Sequence, residues 1–330
     1  MSLWKKYSWI AYAAVFVGVL GHASTEFVAV LSGVSGPELS VWRFLLGGLG
    51  LIVVALMLPG SRNLIAPLRC DCIKIVGLSL LGVTGGYLLF HWSLDFASVA
   101  QVATLVTTVP IFVALTNLFV NKQPITTAKI ASGLCALIGI SLLITDGYLA
   151  KLAGSTDNLI GIMLALGCAA AVAAYSVMVK PLICKYGALR MSALTMFIGS
   201  LGLWIVVGVF FDVWISTARL ETMPAGALAA LMVIALWNTT ITQFLWIGGL
   251  SAVPDITRGS YLFFLKPVIA ALLAIVVLKQ TLTAIQLFAI LVITASVAFE
   301  ALIPHLKQKK TALDDATANQ SCPATIPSDR

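Results

Sequence analysis

Residues Thr108–Thr126 read TVPIFVALTNLFVNKQPIT, and residues Leu265–Thr283 read LKPVIAALLAIVVLKQTLT. A shift of 157 residues lays Pro110 on Pro267, Lys122 on Lys279, Gln123 on Gln280 and Thr126 on Thr283. In each stretch a proline stands early in an apolar run, a Lys-Gln pair follows, and a threonine opens the next apolar run. A proline, a loop and the following helix in register point to an internal repeat.

Working outward, the rest of the chain is as apolar as these runs. It is 60% hydrophobic and 10% charged, with a mean hydropathy of +1.03. Soluble domains carry about 25% charged residues, and a chain this poor in charge could not clothe itself in polar surface in water. The net charge is +7, but the cations sit in short loops between apolar runs. That is membrane topology and not a nucleic-acid footprint.

A hydrocarbon core about 30 Å thick asks for about 20 helical residues per crossing. Ten segments meet or approach this: Trp9 to Leu31, Leu39 to Leu58, Ile73 to Trp92, Ser98 to Val120, Ala128 to Thr145, Leu159 to Lys180, Leu189 to Phe211, Ala225 to Gly248, Ile256 to Leu278, and Ala284 to Ile303. Helices are the expected form, since barrel strands would alternate polar and apolar residues. The run from Trp9 is too long for the apolar core of a cleaved signal peptide. It reads as the first span, with Trp4, Tyr7 and Trp9 as interfacial anchors.

The expected organisation is a cytoplasmic N-terminus over residues 1–8 and a first five-helix unit over 9–145. An outer connecting loop over 146–158, a second five-helix unit over 159–303 and a disordered cytoplasmic tail over 304–330 follow. With the N-terminus inside, the inner loops hold Arg62, Arg69, Lys74, Lys122, Lys129, Lys180, Lys185 and Arg190, against Lys151, Arg219 and Lys279 outside. Both termini are therefore expected in the cytoplasm and the chain in the cell (inner) membrane. Five crossings are an odd number, so the second unit sits inverted relative to the first, an arrangement that supports alternating access. The expected fold class is all-α integral membrane, with ten transmembrane helices in two inverted five-helix repeats.

The chain resembles the EamA type of the drug/metabolite transporter superfamily over about Trp9 to Ile303. The resemblance rests on ten helices in two halves, on Pro110 and Pro267 in the fourth helix of each half with the short loop after it, and on Arg43 within Pro37-Glu38-Leu39-Ser40-Val41-Trp42-Arg43-Phe44. The family often has an acidic residue where this chain has Gln123 and Gln280. The resemblance implies movement of metabolites such as amino acids through a central cavity, without naming the cargo.

Several residues carry candidate chemistry. Proline lacks an N–H and clashes with the carbonyl four residues earlier, so Pro110 should free the Val106 carbonyl and Pro267 that of Phe263. Matched helix breaks point to a transport site; a harmless kink is the plainer alternative. Lys266 stands near the middle of the ninth span, where a cation costs about 2.5–3.5 kcal/mol on insertion scales. It either pairs with a protein acid or meets an anionic substrate group, and the second is the expectation adopted. His22 and Glu26 share one face of the first helix. Glu26 pairs structurally with Arg43, or Glu26 or His22 carries a coupling proton. His91 and Asp95 are expected at the water interface.

Gln101, Thr104 and Thr108 line one face of the fourth span, and Asn238 and Thr242 one face of the eighth. Such residues either contact substrate or bond helix to helix. Tyr261, Phe264, Trp237 and Trp246 could furnish aromatic walls, and Gly47, Gly48, Gly82, Gly85 and Gly86 let helices approach closely. The substrate-contact expectation names Lys266, Tyr261, Thr104, Thr108, Asn238 and Trp237. The Cys70-Asp71-Cys72 stretch lacks a second ligand pair, and His22, His91 and His305 form no metal motif. Neither a metal nor a cofactor is expected. There is no P-loop, HExxH or GxSxG, so neither ATP-driven pumping nor hydrolysis is expected.

These readings converge on a secondary transporter, an exporter of small polar metabolites such as amino acids or organic anions. Its partners are a small-molecule substrate and the lipid bilayer, without nucleic acid, and a homodimer is an assembly the class permits. An exporter of hydrophobic or cationic drugs is the alternative, which Lys266 opposes unless an acid such as Glu26 neutralises it. An intramembrane enzyme would show clustered catalytic residues, and a sensor a soluble signalling domain.

Overall fold

The helices begin and end where backbone chemistry dictates. A computed structural model describes residues 7–34, 36–97, 102, 105–145, 156–278 and 283–299. Helix α1 (Ser8–Ser32) stops at Gly33, whose φ of +64° favours a residue without Cβ. A second such residue, Gly36 at +62°, opens α2 (Gly36–Met57). Then come α3 (Ile65–Ser79), a π-helical turn (Leu80–Gly85) and α4 (Gly86–Phe96). Helix α5 (Val109–Asn121) carries Pro110 in its first turn, where the missing N–H costs no hydrogen bond. Next are α6 (Thr127–Thr145), α7 (Thr156–Met178), the short α8 (Lys180–Tyr186) and α9 (Ala188–Phe211). A short α10 (Thr217–Thr222) precedes α11 (Ala225–Ala235), a second π-helical turn (Leu236–Ile241) and α12 (Thr242–Ala252). The chain continues through α13 (Ile256–Tyr261), a 3-10 turn (Leu262–Leu265), α14 (Lys266–Leu278) and α15 (Ala284–Phe299).

No strand occurs among the described residues. Seven helical stretches there are long and apolar enough to cross a membrane, and Val109–Asn121, Thr127–Leu143 and Ala284–Phe299 are shorter apolar helices. Ile73, Met57, Phe119 and Leu291 are among the most exposed apolar side chains, while Phe44, Phe264, Leu203 and Leu231 are sealed inside. Apolar surface on the outside suits a lipid-facing bundle, whose backbone polar groups are satisfied within each helix. The Trp4 anchor, the 146–155 stretch, Lys279, Gln280 and the tail from Pro304 lie outside the described residues.

The two expected proline breaks take another form. Pro110 and Pro267 each stand second in a helix that starts just before them. The Phe263 carbonyl is not freed, because the Lys266 N–H donates to it. Other departures from α-geometry are a kink at Asp71 within α3, whose φ and ψ are −129° and 30°, and the π-turns in the third and eighth of the expected spans, where the sequence carries no proline.

Packing around the π-turns is reciprocal. Thr84 Oγ1 in the first π-turn donates to the Gly199 carbonyl of α9 at 2.8 Å, and Thr240 Oγ1 in the second donates to the Gly47 carbonyl of α2 at 2.9 Å. A Cβ at Gly199 would strike Val83 and the Ser79 carbonyl, and one at Gly47 would strike Thr239 and the Ala235 carbonyl. Helix α2 packs on α9, α12 on α1, α4 on α7, α5 on α7, and α14 on α1.

The antiparallel run of the helices gives the bundle two ends. One holds the Gly33 turn, where Arg219 meets Glu38 at 2.8 Å. The opposite, basic end gathers Arg62, Lys74, Lys129, Lys180, Lys185 and Arg190. There Arg190 Nη2 donates to the Gly60 carbonyl at 2.7 Å, and Lys185 meets Asp71 at 2.7 Å.

Candidate functional site

Two cations and two imidazoles converge on one hollow. A cavity of about 280 Å³ lies between α1, α2, the π-turn of residues 80–85, α4, α7 and α12. His22, Arg43, His91 and Lys266 line it, with Tyr87, Gln243, Trp246, Phe263 and Cys168. It reaches Gly36 and Ser40, near the Gly33 turn.

The second π-turn positions Arg43. Its Nε donates to Thr239 Oγ1 at 3.0 Å and its Nη2 to the Asn238 carbonyl at 3.2 Å. A π-turn offsets the regular i→i−4 bonding, so it can present backbone carbonyls that an α-helix would bond internally. The guanidinium also lies 5.0 Å from the centroid of the Phe44 ring, itself 4.0 Å from the Tyr87 ring. Tyr87 Oη accepts from Gln243 at 3.5 Å.

His22 stands edge-on to Trp246 and Phe263, with ring centroids 5.9 and 5.7 Å away. Lys266 enters the cavity from the first residue of α14, straight after the 3-10 turn. The Glu26 side chain, expected opposite Arg43, lies outside the described residues.

His91 departs from its expected place at the water interface. It is 7% exposed, its Nε2 shares a hydrogen bond with Ser40 Oγ, and its Nδ1 has no hydrogen-bond partner among the described residues. A buried imidazole nitrogen without a partner has a desolvation cost that a ligand can relieve. Sequence spacing held a signal for this group. Tyr87 and His91 are one turn apart on α4, as Ser40 and Arg43 are on α2, so each pair shares a face.

Of the other expected contact residues, Asn238 and Trp237 bind helix to helix. Asn238 Nδ2 donates to the Gly21 carbonyl at 2.6 Å and to Ser24 Oγ at 2.9 Å, and Trp237 Nε1 donates to Ser24 Oγ at 3.3 Å. Thr108 Oγ1 returns to the Leu105 carbonyl at 2.6 Å. Tyr261 is buried away from the cavity, its hydroxyl donating to the Lys129 carbonyl at 2.6 Å. Thr104 lies outside the described residues. Trp246 does line the cavity, as an aromatic wall would.

Polar ties cross the basic end. Lys129 Nζ meets Asp255 Oδ2 at 2.5 Å, with side chains 11% and 25% exposed. Asp255 Oδ1 caps α13 by accepting from the Thr257 and Arg258 backbone N–H groups at 3.0 and 3.3 Å. Burial alone would raise the Asp255 carboxyl. The hydrogen bond and charge of Lys129, with the Arg258 N–H, outweigh it and hold the carboxyl below the ordinary carboxylate range.

No group of three or more histidine, cysteine or acidic side chains that could hold a metal occurs among the described residues. The candidate site is a cavity lined by two cations and aromatic rings, inside an apolar helical bundle. A polar cavity inside an apolar bundle of this kind suits a multi-pass membrane protein that takes up a small molecule. The comparisons narrow the class. The model of the EamA-like transporter family matches residues 4–145 and 159–301, and the chain belongs to that family. An uncharacterized transporter, YyaM, of Bacillus subtilis (strain 168) is 22% identical over 264 residues, covering 80% of this chain and 83% of the relative. An uncharacterized transporter of Clostridium kluyveri is 23% identical over 232 residues, covering 66% and 73%. A solved crystal structure at 19% identity covers 89% of this chain and 96% of its own, with a TM-score of 0.76, and shares the fold.

Proposed function

We propose that this protein is a secondary active transporter, an exporter of small organic anions or amino acids across the inner membrane, with both termini in the cytoplasm. The observation that carries the substrate class is the pairing of Arg43 and Lys266 in one cavity with His22 and His91. A carboxylate entering between two cations replaces its hydration with charge-assisted bonds, worth about twice a neutral hydrogen bond. Tyr87, Trp246 and Phe263 would cover an apolar substrate body.

Ten spanning helices in two inverted units is the architecture adopted here. The reciprocal Thr84–Gly199 and Thr240–Gly47 bonds support it, because exchanging the units exchanges the bonds. So does the swapped packing of α12 on α1 and α4 on α7. The family match falls in two segments that divide the chain the same way. Thr84 and Thr240 correspond at a shift one residue shorter than Pro110 and Pro267 do, so one insertion separates the third and fourth helices of the two units.

The test is uptake by liposomes holding the purified protein, using labelled amino acids, organic anions and cationic drugs, with and without a pH gradient. Saturable uptake of the carboxylates is expected, with a loss of at least tenfold in Lys266→Ala while thermal unfolding stays cooperative. Transport of the cationic drugs alone, unchanged in Lys266→Ala, would overturn the assignment.

A further inference from the structure

The cavity approaches the Gly33 end of the bundle, while the basic end is tied shut by side chains from three helices that converge on one short segment. Lys129 at the start of α6 holds Asp255 at 2.5 Å. Asn117 of α5 donates to Thr257 Oγ1 at 3.3 Å. Lys180 at the start of α8 donates to the Val253 carbonyl at 3.2 Å. Tyr261 of the tied segment returns a bond to the Lys129 carbonyl at 2.6 Å. None of these residues lines the cavity.

The repeat makes the closure informative. Thr126 Oγ1 accepts from the Lys129 backbone N–H at 3.4 Å, and Thr283 Oγ1 accepts from the Gln286 N–H at 3.2 Å. Lys129 and Gln286 thus hold the same place, the third residue after a capping threonine. The counterpart of Asp255, at the shift that pairs Thr84 with Thr240, is Val99, and that of Asn117, at the proline shift, is Ala274. One unit supplies a charged latch where the other carries uncharged residues.

We propose that Lys129 and Asp255 form a one-sided latch that biases the transporter towards the conformation closed at its basic end and open at the Gly33 end. Two inverted units of identical sequence would give two conformations of equal energy. An interaction made in one and absent from the other shifts the population by its own free energy. The pair is shielded from water, so the bond is screened far less than a surface ion pair. The cytoplasmic side of the latch rests on the topology argued under the proposed function. The latch holds the empty carrier facing outward, and the transport cycle must break it each time the cavity opens inward.

Cys168 reports on this directly, since it lines the cavity. With Cys70, Cys72, Cys135, Cys184 and Cys322 changed to serine, it is the single thiol. In oriented proteoliposomes, a small charged methanethiosulfonate reagent is added to one side at a time. With Lys129 intact, labelling from the Gly33 side should exceed that from the basic side. Lys129→Gln installs the residue its counterpart carries and leaves the Asp255 cap in place. It should speed labelling from the basic side about tenfold, equivalent to about 1.4 kcal/mol in the open–closed balance. Lys129→Arg keeps the charge and should label as slowly as the parent. If Lys129→Gln folds cooperatively and labels like the parent from the basic side, while the Gly33 side still labels, the latch is wrong and the cavity stands. Labelling from neither side in any variant would overturn the cavity as a transport path, and the latch with it.

Discussion

Gly47→Ala tests the link between helix packing and the cavity. A Cβ at Gly47 would sit 2.5 Å from Thr239 Cγ2, 2.6 Å from its Cβ and 3.0 Å from the Ala235 carbonyl oxygen. Thr239 cannot yield by a simple rotamer change without loss. Its hydroxyl donates to the Ile234 carbonyl at 3.0 Å and accepts from Arg43 Nε at 3.0 Å. Overpacking costs about 1–3 kcal/mol, and losing a hydrogen bond to a charged group about 1.5–3 kcal/mol. The helical preference for alanine over glycine returns about 1 kcal/mol. The net is a destabilisation of about 1.5–5 kcal/mol, together with an Arg43 freed on one side.

Gly199→Ala is the matched control. Its Cβ would lie 2.5 Å from Val83 Cβ and 2.7 Å from the Ser79 carbonyl, so it clashes as hard, but it presses on an apolar residue of the cavity wall that holds no cation. Both variants should therefore melt below the parent in detergent, followed by tryptophan fluorescence. Only Gly47→Ala should raise the KM for uptake of a carboxylate, by about tenfold for each 1.4 kcal/mol of lost positioning. A Gly47→Ala protein that melts with the parent and keeps its KM would refute the close approach and the role of Thr239 in holding Arg43.

Thr84→Val and Thr240→Val remove reciprocal bonds, and each should cost about 0.5–1.5 kcal/mol by thermal unfolding; strongly unequal costs would count against the repeat. His91→Phe keeps an aromatic ring but removes both the unpartnered Nδ1 and the Nε2 bond to Ser40, so it should weaken uptake of hydrogen-bonding substrates and also lower the melting temperature by the loss of one buried hydrogen bond. Asp255→Asn should be less stable than the parent near neutral pH. The folded Asp255 carboxyl lies below its ordinary value, so its stabilisation is complete above an unfolded value of about 3.9 and disappears as the pH falls through the folded one. Melting curves of the two proteins should thus converge as the pH falls below about 4, and a constant gap down to pH 3 would contradict the linkage.

Much of the fold was legible in the residues. The apolar runs gave the helical membrane class. The π-turns were not legible, because Leu80–Gly85 (LLGVTG) and Leu236–Ile241 (LWNTTI) share little beyond their first leucine and a threonine. Their geometry comes from bonds to Gly199 and Gly47 on distant helices. The site was legible in part. Lys266, Arg43, His22 and Trp246 do line one cavity, but Asn238, Trp237 and Tyr261 carry the same polar or aromatic signature and are spent on helix-to-helix bonds.

The sequence by itself determined that the chain lives in a bilayer as helices. Transfer free energy accumulates residue by residue along a segment, so no knowledge of neighbours is needed. Only the tertiary structure decided which polar groups face the hollow and which face another helix. That choice depends on contacts such as Arg43 with Thr239, far apart in the chain, and a helix face alone cannot say what stands opposite it.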